Sequence, residues 1–227
     1  MEKFDGNLFC PGNSKKQINQ FKRMIAKDNL PAVNKSDRYL QMRKISGSED
    51  SYSLDIFYKK EKVGHFYVKI SEPATLTEKI YSTINEQSEK MFREESVYGI
   101  KDLAGLDRAN NSIYGGFGNY EPYPTITSKA AGLWYKLATS QFFNNGNKRT
   151  AMLAAIYLLN INFYSFDVFD GNYMYDLSLQ AANQEINAKY IERFINKHVS
   201  LNYENMANAL ENGNIDFSIP IVFNNTK

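Results

Sequence analysis

Residues 140–151 read S-Q-F-F-N-N-G-N-K-R-T-A, and the run Asn144-Asn145-Gly146-Asn147-Lys148-Arg149 is composed like a loop that holds an anion at the start of a helix. Gly146 has no side chain, so the backbone there can approach a ligand closely and take a positive φ. The unpaired N–H groups of a first helical turn, with the positive end of the helix dipole, point at whatever the loop contains. Lys148 and Arg149 add full charges to that turn, where cations are unfavourable unless an anion offsets them. N-N-G-N followed by solvated Lys and Arg is also an ordinary turn. The context favours a ligand, because an amphipathic helix ends at the loop and an almost wholly apolar one begins in it. Such a site, if it activates a nucleophile, calls for a base nearby, and the residue five before the glycine is Gln141.

The elements that would position this loop follow from hydrophobic period. Thr125 to Gln141 carries Ile126, Ala130, Leu133, Trp134 and Leu137 on one side and reads as an amphipathic helix. Lys148 to Asn162, with A-M-L-A-A-I-Y-L-L, reads as a helix buried on most sides. A helix capped by Thr75 or Thr77 carries Leu76, Ile80, Ile84 and Met91 and ends before Gly99. Two more run over about Tyr173–Gln184 and Ala188–Val199, the second with Asn187 as N-cap. Asp102 to Pro124 mixes a short helical piece with the irregular segment I-Y-G-G-F-G-N-Y-E-P-Y-P, and connections of that length are often functional.

Upstream the period changes to two. Ser51–Tyr58 and Val63–Ile70 alternate as strands joined by Lys59-Lys60-Glu61-Lys62, and Arg38–Ile45 can add a third strand. A short amphipathic helix is expected over Gln17–Ala26 in an otherwise polar segment of residues 1–35. The D-F-S-I-P-I-V-F tail reads as an extended piece that Pro220 confines to an edge. The expected fold is mainly α, a helical bundle with a small antiparallel sheet as N-terminal extension, α+β overall. The expected division is 1–75, 76–200 and a 201–227 tail.

Composition narrows the function classes. The chain has 227 residues, 43% hydrophobic and 14% aromatic, with 16 Tyr and 15 Phe, which describes a folded globular protein. With 27 basic against 25 acidic residues the net charge is +2, which is neither a nucleic-acid coat nor a polybasic membrane binder. Nucleic-acid binding through Tyr114, Phe117, Tyr120 and Tyr123 is therefore not the favoured reading. One cysteine, Cys10, and two histidines exclude an internal disulfide and a Cys/His metal cluster. The first residues lack a secretory h-region and no apolar run reaches a membrane span. The expected location is the cytoplasm, and a translocated effector without a cleaved signal would look the same.

The motif Q-x-F-x-N-G-N-K-R-T resembles the signature H-x-F-x-[D/E]-[G/A]-N-[G/K]-R of the Fic/Doc (Fido) family. Around it G-I-K-D-L-A-G-L-D-R-A, Y-P-T-I-T-S-K-A-A and R-T-A-M-L-A-A-I-Y-L-L-N are similar to the family in the right order, over about residues 98–199. The resemblance implies a helical bundle that binds a nucleoside triphosphate, ATP foremost, with Mg²⁺ where a ligand exists, and transfers part of it to a protein hydroxyl. It implies that Phe143 anchors the loop, that Asn145, Gly146, Asn147, Lys148 and Arg149 contact phosphate, with Arg149 also catalytic, and that a flap containing Tyr120 and Tyr123 positions the target. Its partners would be a protein target or an antitoxin-like protein. Met152 stands where Fic enzymes proper have a second arginine, and N-K-R-T-A is similar to the Doc branch, a kinase-type toxin.

The chain also departs from the signature. Gln141 replaces the histidine base, and an amide takes up no proton at physiological pH. Asn145 replaces the acidic Mg²⁺ ligand with a neutral carbonyl, a poorer partner for a hard cation. His65 and His198 lie outside the motif and read as structural or surface residues. Glu86, in S-T-I-N-E-Q, and Glu211, in A-N-A-L-E-N, are near misses to the family's inhibitory [S/T]-x-x-x-E-[G/N] helix and read as helix surface. The expectation is a nucleotide- or phosphate-binding protein with impaired or altered Fido-type transfer. The alternatives are a pseudoenzyme serving as a protein-interaction module, and an active Doc-like kinase or AMP transferase that works without the base.

Overall fold

A computed structural model describes residues 3–30, 37–92, 97–116, 120–167 and 170–212. The chain forms two compact units: one takes in the described residues up to 74, residues 161–165 and those from 200 on, the other residues 75–160 and 166–199.

The first unit holds a four-stranded sheet in the order β1-β4-β3-β2, with β1 Gly6–Pro11, β2 Arg38–Lys44, β3 Ser51–Tyr58 and β4 Glu61–Ser71. The β3–β4 hairpin turns at Lys59 and Lys60, both with positive φ (50° and 71°), the pattern of a two-residue primed turn. Strand β1, which lies in the stretch that reads as polar, pairs in parallel with β4 from Gly6 opposite Phe66 to Pro11 opposite Ser71. The sheet is therefore mixed rather than wholly antiparallel. Six residues with a few apolar side chains give no local signal, and the strand exists because the edge of β4 accepts it. Leu8, Leu54, Ile56 and Val68 are buried, as are Phe21, Met24 and Ile25 of helix α1. That helix spans Lys15–Asn29, longer at both ends than its apolar period indicates, because Ser14 and Gln17 form a capping box at its start.

The second unit is helical: α2 Glu78–Phe92, α3 Leu103–Tyr114, α4 Ile126–Ala138, α5 Asn147–Asn160, α6 Gly171–Ala182 and α7 Ala188–His198. Helix α3 is a full three turns where a short piece is expected; Asp102 caps it, accepting from Gly105 N, and Leu106, Ala109 and Ile113 are buried. Helix α4 starts at a Thr125–Ser128 capping box and buries Leu133, Trp134 and Leu137. Helix α5 is buried on nearly every side, as its composition predicts, and packs against α2, α4 and α6. Asn187 caps α7 through Tyr190 N. Two short strands, β5 Tyr164–Phe166 and β6 Val199–Leu201, pair with each other, and α8 Tyr203–Asn212 follows. The expected edge piece around Pro220 lies outside the described residues. No described helix is long and apolar enough to cross a membrane.

Candidate functional site: an anion loop filled by a glutamate

The loop is held from below by two partners. Phe143 is 1% exposed and bridges to Ile100, while Asn144 N donates to Gly99 O at 3.0 Å and Lys101 N to Phe142 O at 2.7 Å. Phe143 thus has the anchoring position that the motif assigns to it. Asn147, at the start of α5, closes the turn on itself: its Oδ1 accepts from Phe143 N at 2.9 Å and its Nδ2 donates to Phe143 O at 3.0 Å. Gly146 has φ +70°, a left-handed conformation that glycine takes without steric cost.

From above the loop is held by a polar stripe on α2. Asn85, Ser88 and Glu89 are 0%, 0% and 2% exposed, at i, i+3 and i+4, in line with buried Tyr81 and Ile84. Asn85 Nδ2 donates to Asn145 O and to Thr150 Oγ1, both at 2.9 Å, and its Oδ1 accepts from Gly99 N at 2.7 Å. Glu89 reaches furthest. Its Oε1 accepts from Arg149 Nη2 at 2.6 Å, its Oε2 accepts from Asn145 Nδ2 at 3.1 Å, and both charged side chains are buried. A Cβ added to Gly146 would meet Glu89 Oε1 at 2.1 Å. The carboxylate therefore occupies the space over the glycine that an anion would need, and supplies the negative charge that the loop's cations require.

Asn144, Asn145, Gly146, Asn147, Lys148 and Arg149 line a mainly polar cavity of about 190 Å³ with Gln141 and Tyr175. Tyr175 comes from α6 and is absent from the motif reading. Lys148 is half-buried and has no ion pair among the described residues. Gln141 Oε1 accepts from Asn147 Nδ2 at 3.0 Å, so the residue in the base position supports the loop. Asn145 Oδ1 accepts from Gly146 N at 2.8 Å. The oxygen that would coordinate Mg²⁺ is a neutral amide turned inward onto the backbone, and no group of three His, Cys, Asp or Glu gathers among the described residues. The loop as folded suits phosphate once Glu89 is withdrawn, and does not suit a metal ion.

The remaining candidates lie elsewhere. Tyr120 is 70% exposed, and the ring of Tyr123 packs on Gly132, whose added Cβ would meet it at 2.4 Å. Neither lines the loop cavity. Their segment is fastened to α4 by the buried Lys129, whose Nζ donates to Glu121 Oε1 and Tyr123 O, each at 2.6 Å. Phe117 lies outside the described residues. Met152 is fully buried in the core of α5. His65 is buried and bonds Asp55 Oδ1 through Nδ1 at 2.7 Å, and His198 lies 4.8 Å from the Phe194 ring. Glu86 pairs with Lys90 on the exposed side of α2, and the side chain of Glu211 lies outside what is described. The glutamate at the loop is Glu89, three residues beyond Glu86. The signal that could have found it is Asn85-x-x-Ser88-Glu89, polar residues occupying the core stripe of an amphipathic helix.

A positive-φ glycine, a first-turn Arg and a polar cavity at the start of a buried helix form an arrangement able to hold an anionic group, here the carboxylate of Glu89. The model of the Fic/DOC family matches residues 67–159, from within β4 to the last turn of α5, the span that contains both α2 and the loop. Over that segment the chain is similar to the Fic/DOC family. The family is one of Fido-type proteins, which generally transfer part of a nucleotide to proteins, using a nucleoside triphosphate and often Mg²⁺. None of the curated proteins compared matches the chain.

Proposed function

We propose that this chain is a Doc-like Fido protein that binds the phosphates of a nucleoside triphosphate, ATP foremost, on Gly146, Asn147, Lys148 and Arg149, with transfer to a protein hydroxyl impaired. The observation that carries the reading is the state of the two substituted positions. Gln141 and Asn145 each spend their amide oxygen on the loop itself, and the ionisable side chains of the cavity are Lys148, Arg149 and Tyr175. General-base catalysis contributes about 10²–10⁴ in rate, whereas phosphoryl transfer relies mostly on positioning and charge stabilisation. Loss of the base lowers activity, and loss of the acidic metal ligand removes part of the charge stabilisation as well. The partner would be a protein target or an antitoxin-like protein.

Incubation with labelled ATP and Mg²⁺ tests the reading. Binding with transfer at least about 10²-fold slower than in the double variant Gln141→His with Asn145→Asp is expected, and Arg149→Ala should abolish both. Failure of ATP to bind at all, even with Glu89 removed, would overturn it.

A second reading, a pseudoenzyme that serves as a protein-interaction module, is favoured by the Glu89–Arg149 pair, which satisfies the loop without any ligand. It predicts no transfer in any of these variants.

A further inference from the structure

A second concavity lies on α6 and α7, away from the loop. It has a volume of about 480 Å³ and is lined by Tyr173, Tyr190, Arg193, Phe194, Lys197 and His198. Phe194 forms its floor, with the Tyr173 ring at 5.6 Å and the His198 ring at 4.8 Å. The floor is fixed in the core: Phe194 meets buried Trp134 edge-on at 6.3 Å, and Trp134 Nε1 donates to Ser178 Oγ of α6 at 2.7 Å. The walls are different. Tyr173 is 45% and Tyr190 40% exposed, large rings facing water over a preformed hollow.

Arg193 lies over the Tyr190 ring, 5.8 Å from its centroid. A guanidinium held on an aromatic face keeps its in-plane N–H fork for a carboxylate. Lys197 follows one helical turn later, and both cations are exposed. Cations in a last turn also complement the helix dipole, but that role does not account for an exposed tyrosine pair or for an arginine laid on one of them.

Spacing selects the ligand. Side chains one helical turn apart are separated by about 5.4 Å along the axis, close to the roughly 6.7 Å between alternate side chains of an extended strand. Tyr190, Arg193 and Lys197 succeed each other on one stripe of α7, so an extended segment can set one apolar and two acidic side chains against them. A nucleic acid would need a longer cationic track than this stripe gives, since the neighbouring Lys189 is paired with Glu192 at 3.4 Å. We propose that this concavity docks an extended acidic segment of a partner protein. An aromatic or aliphatic side chain of that segment seats between Tyr173 and Tyr190 on Phe194, and carboxylates at the next two alternate positions meet Arg193 and Lys197. Helix α6 borders both hollows, with Tyr173 here and Tyr175 at the anion loop, so a docked partner lies one helix away from that loop.

The test is a titration of the full chain with the peptide GFGEGEG, against GFGSGSG, GFGKGKG and an oligothymidylate. It is read by calorimetry and by fluorescence of Trp134, the single tryptophan. Saturable binding of GFGEGEG, at least about tenfold tighter than that of GFGSGSG and weakened about tenfold or more by Arg193→Glu, is expected. Tyr190→Ala should weaken it as well, and circular dichroism should show both exposed-site variants folded. Absent binding, equal binding of the three peptides, indifference to Arg193→Glu, or tighter binding of the oligothymidylate would each overturn the proposal.

Discussion

Replacing Glu89 by glutamine should make the protein less stable and its loop more receptive at once. In the native chain the carboxylate sits 2.6 Å from Arg149 Nη2, with the two side chains 1% and 8% exposed. Glutamine keeps the shape and removes the negative charge that Glu89 sets against the buried guanidinium. Breaking a buried pair from one side costs about 3–5 kcal/mol, which in a chain of this size lowers Tm by roughly 10 °C. The same quantity bounds the gain in binding. An anion entering the native loop must displace a carboxylate already bound there, whereas in the variant it restores the missing pairing, so affinity should rise by about 10²-fold or more. Glu89→Ala additionally clears the space over Gly146, where Oε1 stands in the way of even one carbon atom, and should bind more tightly still. Scanning calorimetry with and without inorganic tripolyphosphate, together with titration of ATP, reads both effects. The variants should be destabilised in buffer and largely rescued by tripolyphosphate, and Arg149→Ala should cancel the rescue. Unchanged stability, or an affinity no higher than that of the native chain in both variants, would refute the argument that the glutamate fills the loop.

Two further outcomes follow from particular contacts. Gly146→Ala places a Cβ against Glu89 Oε1 at a positive φ; a loss of roughly 2–4 kcal/mol is expected in urea unfolding, and smaller in the Glu89→Ala background, where the backbone strain and the 3.1 Å approach to Ser88 Oγ remain. In the sheet unit, burial works to raise the carboxyl pKa of Asp55, but hydrogen bonds and charge from His65 and Lys62 outweigh it and hold the pKa below the usual value. A depressed carboxyl pKa stabilises the fold above the unfolded-state value of about 3.9 and stops doing so as pH falls through the folded one. Asp55→Asn should therefore destabilise the protein at pH 7, and the difference from the native chain should shrink below about pH 4 in a pH series of urea midpoints.

Much of the helical unit was legible in the sequence because its signals are local. The all-round apolar run of α5, the capping residue Asn187 and the N-G-N-K-R turn each specify structure within a few residues, and the structure places them as read. Strand β1 was not legible, since a six-residue strand with no period of its own is made by the edge it pairs with. The concavity of α6 and α7 was equally hidden, because Tyr173 and Tyr190 are ordinary surface positions until two helices bring them over one phenylalanine.

The sequence by itself determined that a glycine turn followed by Lys148 and Arg149 begins a buried helix, and that Gln141 and Asn145 beside it are amides. The tertiary structure alone decided what that loop holds. Glu89 lies 60 residues before Arg149, and the helical period that sets Asn85, Ser88 and Glu89 on the core stripe does not say what they meet there. Only the packing of α2 on α5 turns Glu86 outward to Lys90 and Glu89 inward to the arginine. There, low exposure makes the charge pair costly to break and the loop dependent on an anion, its own or another's.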